Sequence, residues 1–289
     1  MDTMLKTSGE FIVGWNDILG FKNVLEQVPP NHLEEVIVPR LNDIRENLVG
    51  RNLVEAAEYA DVKAAIGLVE MRVISDTLAI LCPVTIPSWP SWLSFFIYST
   101  TLHASMFDIG MPLRGAVACG QLCVRDWGVF GAPVVRAHRV CEALDISACV
   151  FLSDAVDAMT SAFSDPAVQP RQAMYSEWYD VPMHPRGKTT RTLVQLFNKG
   201  FFLSAERAAI SGYVREKFSA HGKSVDPQSV QRKIDHTISL LQWNRWLWEH
   251  GRPGDMLIAM QRDAADRARP GRHTASAKEQ IGEREDANG

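Results

Sequence analysis

Two aspartates and one arginine stand where this chain could do phosphoryl chemistry. Asp17 ends an apolar run, Phe11-Ile12-Val13, and is followed by Gly20, which permits a tight reversal. An amphipathic helical pattern comes next, with Phe21, Val24, Leu25 and Val28 apolar. A carboxylate at a strand end, beside the free N–H groups of a helix start, suits a cation that carries a polyphosphate. The acid holds the metal and the amides hold phosphate oxygens. A strand–turn–helix whose acid only caps the helix has the same pattern. Asp76 stands alone between two apolar runs, Val73-Ile74 and Leu78-Ala79-Ile80, as the tip of a hairpin would. Arg139 follows Gly131 on a helical stretch, where its guanidinium could bridge phosphate oxygens or simply face solvent.

The elements that must position these residues alternate in mixed order. Leu33, Val36, Ile37, Leu41, Ile44 and Leu48 recur at helical spacing, with Pro39 kinking or dividing the helix. Ile66 to Val73 and Leu78 to Val84 predict the hairpin that carries Asp76. Trp92, Phe95, Phe96, Ser99, Leu102, His103 and Met106 form a wide apolar stripe that predicts a helix packed on a sheet, with His103 a satisfied core histidine. Leu113 to Cys119 reads as a strand, and Gln121 to Phe130 as a short hairpin turning at Asp126-Trp127-Gly128. Gly131 to Leu144 is helical, Ala148 to Leu152 a strand, and Asp154 to Phe163 a helix capped by Ser153. Tyr175 to Val181 and Thr192 to Phe197 are the last strands. The expected fold class is α/β, an α+β sandwich on a largely antiparallel sheet flanked by helices.

From Phe201 the pattern becomes helical, and Val230, Ile234, Ile238, Leu241 and Trp248 share a face after Asp226-Pro227. Trp243, Trp246 and Trp248 are too many for an exposed surface and are expected against the main domain or a second subunit. The chain thus divides into a main unit over 1–200, a helical extension over 201–265 and a disordered tail over 266–289.

Composition bounds the function. With 289 residues, 46% apolar, the chain can bury a substantial core. A net charge of −4 with scattered basic residues gives no reason to expect nucleic-acid binding. No apolar run approaches a membrane span and no signal-peptide pattern opens the chain, so a cytoplasmic protein is expected. Cys82, Cys119, Cys123, Cys141 and Cys149 are odd in number and sit in apolar runs, as reduced core thiols do. Gly187-Lys188-Thr189 lacks the strand–loop–helix context of a P-loop.

Taken in order, Phe11–Phe21, Val73–Ile80, and Arg114–Gly120 with Phe130–Glu142 resemble the catalytic domain of class III nucleotidyl cyclases over roughly residues 10 to 200. The resemblance implies a palm-like sheet, with Asp17, the carbonyl of Ile18 and Asp76 holding two Mn²⁺ or Mg²⁺ ions. It also implies nucleotide contacts at Ile18, Gly20 and Phe21, and Arg139 as the catalytic arginine. Family sites are shared between subunits, so a homodimer is implied, with the acids from one chain and the arginine from the other.

The departures bear on the base. Purine cyclases usually carry asparagine four residues before the arginine, where this chain has Val135. The adenine-reading lysine and acid of the family fall at Arg72 and about Gly128. Arg72 could instead donate to a pyrimidine carbonyl, or form a salt bridge with a nearby acid. The compact form with a helical extension is most similar to the pyrimidine cyclases of Pycsar antiphage defence. That implies a cyclic nucleotide made from UTP, or next from CTP, which switches on a separate effector. Lys188 falls where cyclases often hold a phosphate-binding lysine. A purine cyclase, or an inactive nucleotide-binding module, is the alternative.

Overall fold

The computed structural model describes residues 8–29, 60–169, 175–185, 188–197, 199–202 and 209–251, with 31, 34–35, 38–40, 42–43 and 172. Most of the expected 33–48 helix, Arg186, Gly187 and the chain from 252 onward, including the expected tail, lie outside the described residues.

One sheet organises the molecule. Its order is β2 (Glu70–Ile74), β3 (Thr77–Pro83), β1 (Ser8–Ile18), β4 (Leu113–Arg125), β6 (Cys149–Phe151), β8 (Lys188–Gln195), β7 (Ser176–Met183), with β5 (Gly128–Phe130) paired to β4. Every pairing is antiparallel except β4 with β6. The architecture is therefore the mixed α/β, mostly antiparallel sheet with flanking helices that the pattern of elements predicts. β4 differs in one respect. The sequence suggests a break near Gly120, yet the strand runs on, because β1 begins early enough to pair Ser8 with Cys123.

Helix α3 (Trp89–Asp108) covers one face. Its Trp92, Phe95, Phe96, Leu102 and Met106 pack on Ile12, Leu78, Ile80 and Val117, joined by Ala155 and Met159 of α5 (Ser153–Ala162). Each such fully buried large apolar side chain contributes about 2–3 kcal/mol. Gly14 is required by this packing, since a Cβ there would stand 3.0 Å from the Phe95 ring. On the other face α4 (Ala132–Ala143) and α8 (Gln228–His250) place Ala137, Cys141, Leu240 and Leu247 on Ala116, Ala118, Val150 and Val194. The other helices are α1 (Phe21–Gln27), α2 (Ala60–Ile66), α6 (Lys199–Phe202) and α7 (Ile210–Ser219).

The C-terminal helices do not stand apart from the sheet. Tyr213, Val214 and Phe218 of α7, with Ile234, Ile238 and Leu241 of α8, close over Leu19, Phe107 and Phe197. Trp243 packs on Tyr179 with ring centroids 4.8 Å apart, and Trp248 Nε1 donates to the Phe197 carbonyl. Trp246 does not pack on the sheet: it is half exposed and stacks on His250. Two local expectations are also corrected. Leu25 is exposed, because a seven-residue α1 buries only Val24. Ser153 is the first residue of α5 rather than its cap, Leu152 occupies the cap position, and Asp154 Oδ1 accepts from the Ala155 N–H at 2.8 Å.

Candidate active site

Asp17 occupies the last turn of β1 pleat before the Gly20 reversal, and the sheet surrounds it. Thr77 pairs with it on one side and Arg114 on the other. Thr77 Oγ1 donates to Asp17 Oδ1 at 2.8 Å, and Arg114 Nη2 lies 3.5 Å from Oδ2. A buried carboxylate needs such partners to remain charged. The side chain thus faces positive charge at Oδ2 already. Arg114 is itself anchored, with Nη1 donating to the Glu142 carbonyl at 3.0 Å, and Cys141 Sγ donates to the Arg114 carbonyl. Burial and the nearby Asp17 charge push the Cys141 thiol up, so it is an inert core thiol.

The hairpin between β2 and β3 brings Asp76 to the same end of the sheet. Ser75 turns the chain at φ 59°, and the Ile18 N–H donates to the Asp76 carbonyl at 2.9 Å. Asp76 is exposed at the tip, while Asp17 beside it is buried. Gly20, at φ 76°, makes the left-handed reversal that starts α1 at Phe21. The structure therefore gathers Asp17, Ile18, Asp76, Gly20 and Phe21 at one end of the sheet.

Arg139 and Arg72 are placed elsewhere. Arg139 is exposed on α4 one turn beyond Val135, which is also exposed, and among the described residues it has no hydrogen bond or ion pair. Its neighbours on that helix are engaged: Arg136 pairs with Asp154, and His138 lies 3.6 Å from Glu142. Arg72 takes the salt-bridge alternative, with Nε donating to Glu70 Oε1 at 2.5 Å. Its Nη1 also donates to the carbonyl of Arg125 and, at 3.5 Å, to that of Gly128, while Nη2 is buried without a partner. Arg72 and Gly128 are thus neighbours across the sheet edge. Lys188 begins β8 on an exposed stretch.

Three groups at the Asp17 end are not marked by the motif reading: Thr77, Arg114 and Lys223. The first two become partners of Asp17 only through strand register, which a linear chain does not display. Lys223 arrives from the segment between α7 and α8, and its stem lies where a Cβ on Gly20 would meet it at 3.0 Å. Its Nζ donates to the Gly110 carbonyl at 2.5 Å, and His221 Nε2 meets the Ile109 carbonyl at 2.6 Å. Together they cap the C-terminal end of α3, where cations are favoured. Burial lowers the Lys223 pKa to about 8.

The donors at this end are two carboxylates and a backbone carbonyl, all hard oxygen. That set fits Mg²⁺ or Mn²⁺, which take one or two carboxylates and complete their shell with water and substrate phosphates. Among the described residues no group of three or more His, Cys, Asp or Glu side chains could hold a metal alone. A cation here would depend on substrate oxygens. A separate cavity of about 520 Å³ opens between α4, the start of α5 and the β7–β8 hairpin, lined by Val140, Val156, Trp178 and Arg191, and does not include Asp17, Asp76 or Arg139. No helix among the described residues is long and apolar enough to cross a membrane.

No family model matches the sequence, and no curated protein matches it. Among solved structures the chain is similar to adenylate cyclases from Trypanosoma brucei in their monomeric state, at 10% identity and a TM-score of 0.42, covering 68% of this chain and 92% of that one. It is also similar to the monomeric guanylyl cyclase domain of the RhoGC fusion protein from the aquatic fungus Blastocladiella emersonii (11% identity, TM-score 0.41, 67% and 98% covered). A third is an adenylate/guanylate cyclase/hydrolase from Silicibacter pomeroyi (11% identity, TM-score 0.37, 65% and 97% covered).

Proposed function

We propose that the chain is a nucleotidyl cyclase that converts a nucleoside triphosphate to its 3′,5′-cyclic nucleotide and pyrophosphate. The observation that carries this reading is the meeting of Asp17 and Asp76, through the Ile18 N–H, beside the Gly20 reversal. In the reaction the ribose 3′-oxygen bonds to the α-phosphorus, the bond from that phosphorus to the bridging oxygen of the β-phosphate breaks, and the hydroxyl proton passes to solvent. Asp17, Asp76 and the Ile18 carbonyl would hold the two divalent cations. When bound, these ions activate the attacking oxygen and neutralise the leaving pyrophosphate. Thr77 and Arg114 hold the Asp17 carboxylate in place. Arg139 would place its guanidinium on the α-phosphate, where charge grows in the transition state.

Because Arg139 and Val135 face outward, the site is completed by a second copy of the chain in a homodimer, with the arginine supplied across the interface. The base is a pyrimidine, uracil before cytosine. The family's adenine-reading pair is absent, with Arg72 and Gly128 at those positions. The product acts as a second messenger on a separate effector in antiviral defence, by resemblance to the Pycsar cyclases. One observation favours a second reading, an inactive nucleotide-binding module: Val135 puts an exposed apolar side chain where purine cyclases hold a polar one.

The test is a panel of ATP, GTP, CTP and UTP with Mn²⁺, products being identified by mass. A cyclic pyrimidine is expected. A cyclic purine keeps the cyclase and removes the base assignment. No cyclic product from any of the four favours the binding module.

A further inference from the structure

The segment between α7 and α8 closes on the Gly20 reversal. Its single 3₁₀ turn, Ala220–Gly222, lies against α1, and Lys223 follows it. Glycines make the approach possible. A Cβ on Gly110 would collide with Ala220, one on Gly222 would meet Gln27 Oε1 of α1 at 2.9 Å, and one on Gly20 would stand 3.0 Å from Lys223 Cδ. His221 holds φ 58°, a left-handed conformation that is costly for a residue with a side chain, and its Nε2 is fixed on the Ile109 carbonyl. The turn is therefore held by its contacts with the end of α3 and with α1, against its own local preference.

Lys223 is 7% exposed, and its ammonium donates to the Gly110 carbonyl. Burying an ammonium is costly, and a glycine motif or water can satisfy a helix C-terminus without one. The long apolar stem does what neither of those can. It reaches from Gly110 to Gly20 and covers the reversal. Gly20 itself gives α1 no side-chain cap. Leu19, just before it, donates to the Pro112 carbonyl at 2.9 Å and is buried with Phe107, Tyr213 and Phe218. The Gly110–Pro112 segment and the C-terminal segment thus brace the reversal together, and Lys223 joins the two.

We propose that Lys223 is a positioning residue: its stem holds the Gly20 reversal, and through it the Ile18 carbonyl and the contacts at Gly20 and Phe21, in the conformation that the nucleotide meets. The inference rests on the cyclase reading for the identity of that nucleotide. The segment between the C-terminal helices is then part of the site's framework rather than an accessory to the sheet.

Amide hydrogen exchange of the full chain, without nucleotide or metal, is the first measurement. The Leu19 and Val24 amides, both hydrogen-bonded, report on the reversal, and β8 at the far side of the sheet is the internal reference. Lys223→Ala, which removes stem and ammonium, speeds exchange at Leu19 and Val24 by about tenfold or more and leaves β8 unchanged; Lys223→Met, which keeps the stem, stays within about threefold of wild type. Lys223→Ser replaces Lys223→Ala should the latter not fold. Unchanged exchange at Leu19 and Val24, or an equal rise in β8, overturns the proposal. The second measurement is turnover of the best nucleotide of the panel. Lys223→Ala raises KM by about tenfold and Lys223→Met by no more than about threefold. Equal damage from the two variants would mean that the ammonium itself meets the substrate, and overturns a role carried by the stem. Faster exchange in Lys223→Ala with an unchanged KM removes the positioning role and keeps the cyclase. Faster exchange with no cyclic product from wild type keeps the brace and removes the cyclase.

Discussion

The two halves of the candidate site are built differently. At the end of β1, Asp17 is buried and each of its oxygens faces a donor from a neighbouring strand, Thr77 on one side and Arg114 on the other. On α4, Arg139 and Val135 are exposed, and among the described residues Arg139 has no hydrogen bond or ion pair. A buried charge must be satisfied by the fold that buries it, so the first half is complete within one chain. An exposed guanidinium has no such obligation and can be presented to another molecule. On the proposed reading, the acids would act where they are made and the arginine at the site of a second copy.

The strongest challenge to that contrast is Asp17→Asn. Cyclisation is expected to fall by about a thousandfold or more, several kcal/mol of lost metal stabilisation, with the circular dichroism spectrum retained. Full activity in this variant would remove Asp17 from the site. Chelation by EDTA should have a comparable effect and be reversed by excess Mn²⁺. Arg139→Ala should cost about a hundredfold to a thousandfold in kcat, with an unchanged melting temperature because the side chain is exposed. Mixing the two inactive variants then sharpens the comparison. Random heterodimers each rebuild one site of two, so about one quarter of wild-type activity should return; no recovery means that the halves are not shared between chains. Thr77→Val, which removes one hydrogen bond to Asp17, should cost about 1 kcal/mol of stability in urea unfolding and up to roughly tenfold in turnover.

The smallest effect on turnover concerns the core beneath the acids. His103 on α3 meets Asn16 Oδ1 at 2.9 Å, and burial holds its pKa at about 4, below the free value of 6.5. The unfolded chain binds a proton below pH 6.5 that the folded chain refuses until about pH 4. Stability from this group is therefore full above pH 6.5 and declines as pH falls from 6.5 to 4, by roughly 3 kcal/mol at most. Urea midpoints across that range measure the slope, and a midpoint independent of pH would contradict it.

Some of this was open to reading in one dimension. The apolar run ending at Asp17, the lone Asp76 between two strand-like runs and the stripe on α3 follow from side-chain periodicity, which a linear chain displays directly. Buried thiols at Cys82, Cys119, Cys141 and Cys149 and a satisfied core histidine at His103 were legible for the same reason, whereas Cys123, expected in the core with them, is only half-buried near the end of β4. The unbroken β4 was not, since its second half persists only because β1 supplies partners as far as Ser8. Neither was Ser153, where the cap position passed to Leu152.

By itself, then, the sequence determined which segments become strands and helices, and that acids fall at two strand ends. Tertiary structure alone decided what surrounds those acids. Thr77 and Arg114 reach Asp17 from strands 60 and 97 residues away by register, and Lys223 arrives beside Gly20 from a C-terminal segment that closes over the sheet. Local pattern records a residue's preference for a face or a turn. Cross-strand register and helix docking are set by the packing of the whole core, so the partners of a buried charge appear only once that core is assembled.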